Sequence, residues 1–292
     1  MNEVERINLD DYIQTGEGGT AVAYTHKDGK SLAKLYKPGF EADRAKAEFL
    51  TARTVYELGI PTPEPFRLVT DGERMGGEYE LIKDKRSFAR IISQEPERLE
   101  EISVTFANMA KKLHATKAER LRVGEQSSGI TTRLESMKER VRRFYVEKDM
   151  VPEDYKQKAL NFIDQVPEAT TCVHGDLQIG NIITDGERTL WIDVGEFGYG
   201  VPEWDLGMLW TMAYRMDSQR CEFLFHITHD TFLAHWNVFF PAYLGTTDPQ
   251  RIEEATRRLI PFASAKIPYM YDMASHARLP EMAFQNLIQF FR

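Results

Sequence analysis

The sequence predicts an α+β protein of two lobes, the first small and rich in β-structure, the second larger and helical with one β-hairpin embedded in it. Three observations carry this. Short strand-like runs punctuated by Gly, Asp and Pro fill residues 1–82. Helix-forming residues dominate from Ser87 onward. A brief return of β signal at residues 171–193 interrupts the helical part.

Taken in order, Val22-Ala23-Tyr24-Thr25-His26 and Ser31-Leu32-Ala33-Lys34-Leu35-Tyr36 flank Asp28-Gly29. Asp and Gly both tolerate the positive φ of a tight turn, so the pair reads as a hairpin. Lys37-Pro38-Gly39 ends its second strand. Residues 42–58 are dense in Ala, Glu, Arg and Leu and stop at Gly59 and Pro61, which predicts a helix. Residues 66–70 and 78–82 read as two more strands around a Gly-containing turn at 71–77. The lobe boundary falls at Lys83, giving lobes of residues 1–82 and 83–292. Helices are expected at 96–116, 131–148 and 153–165, and again from Trp204 to the C-terminus. Short strands are expected at 171–173, 181–184 and 189–193, the last two flanking Asp185-Gly186.

Composition narrows the functional classes. Of 292 residues, 45 are acidic and 37 basic, a net charge of −8 that argues against a broad nucleic-acid surface. No run approaches the roughly 20 apolar residues of a membrane helix. The N-terminus has no basic region followed by an apolar run, and two cysteines make no disulfide framework, so a cytoplasmic setting is expected.

The stretch that carries chemistry is His174-Gly175-Asp176-Leu177-Gln178-Ile179-Gly180-Asn181, followed by Trp191-Ile192-Asp193-Val194-Gly195. The Asp-to-Asn spacing equals that of the protein-kinase catalytic loop, and a second Asp follows at the end of the next strand. Phosphoryl transfer builds negative charge on phosphate oxygens and is aided mainly by positioning and by cations. Asn181 and Asp193 offer oxygen ligands suited to Mg²⁺, and Asp176 offers a carboxylate that can take the proton of an attacking hydroxyl.

With Gly175 between His and Asp, this loop resembles that of the aminoglycoside phosphotransferase and choline kinase family of kinase-like small-molecule phosphotransferases. The resemblance continues through Gly200-Val201-Pro202-Glu203-Trp204-Asp205-Leu206-Gly207 and covers most of residues 16–210. It implies a bilobal protein kinase-like fold, ATP and Mg²⁺ as cofactors, and a small-molecule hydroxyl as phosphate acceptor. It also implies that His174 and Asp176 form the catalytic pair and that Asp205 opens a helix and hydrogen-bonds the loop from behind.

Gly16-Glu17-Gly18-Gly19-Thr20 precedes the hairpin, and glycines let backbone N–H groups approach phosphates closely, although the third glycine of the kinase pattern is Ala21 here. Lys34 lies in a strand with no clearly polar face, so its ammonium is partly buried and needs an anionic partner. The resemblance implies that Lys34 holds phosphates and pairs with Glu48 on the following helix. It further implies that the backbone of Glu80-Leu81-Ile82 receives adenine.

Other features carry less. His226, His229 and His235 fall on different sides of a helix, so no zinc site is expected. Cys172 reads as a small buried hydrophobe. Trp236, Phe239, Phe240, Tyr243, Tyr269 and Tyr271 read as core, with aromatic faces available to a cationic acceptor. Residues 111–148, with 11 basic and 5 acidic side chains, read as a solvated helix surface. Residues 166–222 hold 10 acidic and 3 basic residues, so a positively charged acceptor is expected, with Glu196, Glu203 and Asp217 as attractors. A non-catalytic kinase-like nucleotide-binding module is the alternative from another class. A protein kinase is less favoured, because nine residues from Asp193 to Pro202 leave no room for a peptide-docking activation segment.

Overall fold

The computed structural model describes residues 4–118, 134–275 and 277–291. The chain divides into two compact units. The first comprises the described parts of Met1–Ser87, Leu134 and Asn181–Phe197; the second comprises those of Phe88–Ala118, Glu135–Gly180 and Gly198–Arg292.

In the first unit, β1 (Glu5–Arg6), β2 (Tyr12–Glu17), β3 (Ala21–His26), β4 (Ser31–Tyr36), β5 (Pro65–Thr70) and β6 (Met75–Glu80) form one sheet in the order β1-β5-β6-β4-β3-β2. Only β1 pairs in parallel, with β5. The hairpin expected around Asp28-Gly29 is β3–β4, with Gly29 at φ 70°. β2 has no counterpart in the sequence reading. It is an edge strand in which only Tyr12 is buried, so it shows no apolar alternation. β6 begins earlier than expected and takes Gly76 and Gly77 into the strand, because β4 and β5 pair with it on both sides.

Helix α1 (Ala42–Glu57) buries Ala45, Phe49, Ala52 and Val55, and the Phe49 ring meets Tyr79 edge-on at 5.9 Å. Sequestering a side chain of that size contributes roughly 1.5–3 kcal/mol. The carboxylate of Glu78 is buried inside the sheet and accepts from Tyr12 Oη (2.8 Å), Ser31 Oγ (2.6 Å) and Arg67 Nε (2.6 Å). Burial pushes its pKa up, and these three donors bring it below the ordinary value.

The hairpin expected around Asp185-Gly186 forms as β9 (Ile182–Thr184) and β10 (Thr189–Trp191), joined by β7 (Arg86–Ser87) in the order β10-β9-β7. Chain order sets this hairpin amid the second lobe, but its contacts make it part of the first unit. The reason is hydrogen bonding. Trp191 N donates to Pro61 O at 2.8 Å, and Thr62 Oγ1 donates to Trp191 O at 2.9 Å, so the proline-rich segment grips β10.

The second unit carries a short antiparallel pair, β8 (Cys172–Val173) and β11 (Gly198–Tyr199). Its helices are α2 (Phe88–Gln94), α3 (Leu99–Ala115), α4 (Met137–Glu147), α5 (Glu153–Gln165), α6 (Glu203–Arg215), α7 (Ser218–Phe225), α8 (His229–Leu244), α9 (Pro249–Ser275) and α10 (Glu281–Leu287). The helix expected at 131–148 is α4, which starts under a Ser136 cap; residues 119–133, which include part of the basic stretch at 111–148, lie outside the described residues. Val141, Tyr145, Tyr155, Ile163 and Trp204 share one apolar core. Pro268 lies within α9 and has no N–H, so Ser264 O loses its helical donor. The hydroxyl of Tyr155 donates to that oxygen at 2.6 Å, and Tyr145 donates to Ala265 O at 2.7 Å. Among the described residues no helix is long and apolar enough to cross a membrane.

Candidate active site

A cleft of about 170 Å³ opens in the first unit, lined by Lys34, Tyr36, Glu48, Glu80, Ile82, Lys85 and Asp193, with Leu32, Ile183 and Ile192 supplying apolar surface. Five of the residues singled out from sequence therefore meet: Lys34, Glu48, Glu80, Ile82 and Asp193. Lys34 projects from β4, an interior strand of the sheet, and its Nζ lies 2.9 Å from Asp193 Oδ1. Burial alone would lower the Lys34 pKa; the Asp193 carboxylate, with Tyr79 and Glu48 nearby, holds it above the ordinary lysine value. Glu48 is not the bonded partner that the resemblance implies. Its carboxylate accepts from the Tyr36 hydroxyl and faces Arg44 Nε at 3.5 Å, while the Lys34 ammonium bonds Asp193. Burial and the neighbouring Glu48 raise the Tyr36 hydroxyl far above its usual pKa.

Asp193 follows β10 in a left-handed conformation, φ 53°, which costs a non-glycine residue energy and is retained chiefly where function or packing demands it. Ile192 N donates to Asn181 O at 2.9 Å, which fixes Asn181 beside the segment that carries Asp193. One carboxylate and one amide oxygen suit a small hard cation that completes its shell with other oxygens. Gly195 admits the Glu48 side chain: a Cβ there would lie 3.0 Å from Glu48 Oε2. Lys85 also faces the cleft; burial lowers its pKa and the Asp193 charge opposes that only in part.

In the second unit the His174–Asp176 turn is held from below. Asp205, fully buried at the head of α6, accepts from His174 N (2.6 Å), Gly175 N (2.9 Å) and His114 Nε2 (3.1 Å). Burial works against its ionisation, yet the His114 hydrogen bond and the Lys266 charge bring its pKa down to about 2. Lys266, also fully buried, donates to Gly175 O (2.6 Å) and Trp204 O (3.2 Å). Gly175 sits at φ 84°, a region that a side-chain-bearing residue avoids. His174 is fully buried, and its Nδ1 accepts from Asp176 N at 3.3 Å, so it braces the turn from within.

Gly16, Gly18, Gly19 and Thr20 do not line the cleft. Gly16 lies within β2, and the others make the β2–β3 turn, closed by Gly18 N to Ala21 O at 2.8 Å. Glu80 bonds Arg188 at 2.9 Å, and the Glu80 and Leu81 amides donate to Glu64 O and Lys30 O. Sequence reasoning missed Tyr36, Lys85, His114 and Lys266. Lys266 left one signal, a lone cation within Phe262-Ala263-Ser264-Ala265-Lys266-Ile267-Pro268. His114 left none.

A mixed sheet with Lys34 and Asp193 across one cleft, and a His-Gly-Asp turn buttressed by a helix-borne Asp, define the kinase-like α+β class. Residues 13–279 match the phosphotransferase enzyme family, and the chain belongs to it. That match runs well beyond residue 210, where the resemblance read from sequence stops. Among solved structures, an aminoglycoside phosphotransferase in ternary complex with AMP-PNP and hygromycin B shares the fold with a TM-score of 0.61 at 13% identity, covering 96% of this chain and 93% of that one. An ethanolamine kinase of Plasmodium vivax gives 0.56 at 18% identity over 97% and 81%. A choline/ethanolamine kinase family protein from Mesorhizobium loti gives 0.51 at 14% identity over 96% and 85%. Comparison with curated proteins returns no match.

Proposed function

We propose that the protein is a Mg²⁺- and ATP-dependent phosphotransferase that moves the γ-phosphoryl group of ATP to a hydroxyl of a small molecule. The observation that carries this reading is the Lys34–Asp193 pair, 2.9 Å apart inside a cleft with Asn181 tied beside it. Leu32, Ile82, Ile183 and Ile192 offer an apolar slot for a purine ring. The Glu80 and Leu81 amides are already committed, so the ring edge falls to the backbone of Ile82. Lys34 binds phosphate oxygens, and Asn181 and Asp193 hold the metal. Bound Mg²⁺ supplies neutralisation of charge on the phosphate oxygens. Asp176 accepts the proton of the acceptor hydroxyl while its oxygen bonds to phosphorus and the bond to ADP breaks. His174 and Asp205 orient that carboxylate through the backbone of the turn.

For the acceptor, the acidic block supplies less free charge than its count suggests. Asp185 carries Arg188 (3.2 Å), Asp217 carries Arg220 (3.5 Å) and Asp205 carries His114 (3.1 Å). Glu203, at the start of α6, is then the acidic side chain of the second unit that remains a candidate attractor for a cationic acceptor. The test is ATP consumption across aminoglycosides, amino alcohols, sugars and nucleosides, with Asp176→Asn as control. Loss of a general base costs about 10²–10⁴-fold. Transfer by the variant at the wild-type rate would remove Asp176 from its role, and no acceptor-dependent turnover across the panel would favour the non-catalytic alternative.

A further inference from the structure

We propose that Lys266 is a positioning residue for phosphoryl transfer, one half of a two-sided clamp on Gly175 that sets the direction of the Asp176 carboxylate. The inference rests on the phosphotransferase reading above and adds a residue on a helix 91 positions from the turn it serves. Two groups grip Gly175. Its N–H donates to Asp205 Oδ1 at 2.9 Å, and its C=O accepts from Lys266 Nζ at 2.6 Å. The same ammonium reaches Trp204 O at 3.2 Å, and Trp204 is the residue before Asp205, so α6, α9 and the turn close into one ring of hydrogen bonds.

Chemistry explains why a lysine stands here. Lys266 is 0% exposed, and a lysine is buried only where its charge is compensated. Asp205 is the buried counter-charge, as its depressed pKa records. A methionine would fill the same space without cost in apolar packing. What a lysine adds is a pair of charge-assisted bonds to carbonyls, stronger than neutral ones. One of these carbonyls belongs to the peptide that leads into Asp176. Gly175 at φ 84° has no side chain of its own to fix its orientation, so the grip comes from outside.

The test compares Lys266→Met with wild type on two readouts. Hydrogen exchange should rise by about tenfold or more in residues 173–178 and stay unchanged in α8, as expected for a local opening. Mg²⁺-dependent ATP hydrolysis, with water as acceptor, should lose about tenfold or more in kcat while KM for ATP stays within about twofold, because only orientation at the reacting centre is lost. Lys266→Gln, which keeps a donor without the charge, should fall between the two and serves if the methionine variant does not fold. Wild-type exchange in residues 173–178 of a folded variant overturns the clamp, as does wild-type kcat. If the wild type neither hydrolyses ATP nor transfers its phosphate to any acceptor of the panel, the phosphotransferase reading fails, and exchange alone decides the clamp.

Discussion

Acidification should destabilise this protein through one histidine. His235 lies on α8 with 0% exposure, its ring stacked on Phe106 at 5.4 Å and its Nδ1 2.8 Å from Ser103 Oγ. Its Nε2 has no hydrogen-bond partner among the described residues, so nothing there welcomes a second proton. Burial depresses its pKa from 6.5 to about 3. The sign follows: below pH 6.5 the unfolded chain takes up a proton that the folded chain refuses until about pH 3, so stability falls as pH falls through that window. Each pH unit costs about 1.4 kcal/mol, so the loss from about pH 7 to pH 5 is roughly 2 kcal/mol. The assay is urea unfolding at both pH values for wild type and His235→Phe, which keeps an aromatic ring. Ser103 retains a partner in that variant, since its hydroxyl lies 2.6 Å from Leu99 O. Other groups titrate equally in both proteins, so the difference between the two pH losses isolates His235. Equal losses would refute the argument. The effect reaches the 174–176 turn, because α3 and α8 also carry His114 and Tyr243, joined at 2.8 Å, and His114 bonds Asp205.

Other outcomes follow from the same geometry. Lys34→Met should lower kcat/KM for ATP by roughly 10- to 100-fold, the scale of a lost hydrogen bond to a charged group. Its melting temperature should hardly move, since the side chains of Lys34 and Asp193 are 31% and 56% exposed. Gly175→Ala forces an alanine to φ 84° and should cost roughly 1–3 kcal/mol in urea unfolding, together with activity. Gly195→Ala sets a Cβ 3.0 Å from Glu48 Oε2, so the carboxylate must shift by a few tenths of an ångström and its contact with Tyr36 is disturbed. An unchanged KM for ATP in that variant would show that the Glu48 contact is dispensable.

What the sequence discloses here tracks how locally each feature is encoded. The turns at Asp28-Gly29 and Asp185-Gly186 were legible because the conformation they need is written in the residues that adopt it. Asp176, Asn181 and Asp193 stand out as candidates through fixed spacing along the chain. The partner of Lys34 was not: the choice between Glu48 and Asp193 depends on β10 being held by Pro61 and Thr62, contacts across more than a hundred residues. β2 escaped notice because an exposed edge strand needs no apolar pattern. His114 and Lys266 act on backbone atoms of a distant turn, and a backbone acceptor leaves no mark on residue type.

The proline in α9 has a consequence for the order in which the protein is made. Pro268 removes the helical donor of Ser264 O, which takes its hydrogen bond from Tyr155 on α5, while Tyr145 on α4 donates to Ala265 O. Those two helices emerge first during synthesis and wait with Tyr145 and Tyr155 uncovered until residues 249–275 arrive. Lys266 lies between these anchor points, so a nascent chain lacking α9 holds the 174–176 turn through Asp205 but without the Lys266 bond to Gly175 O.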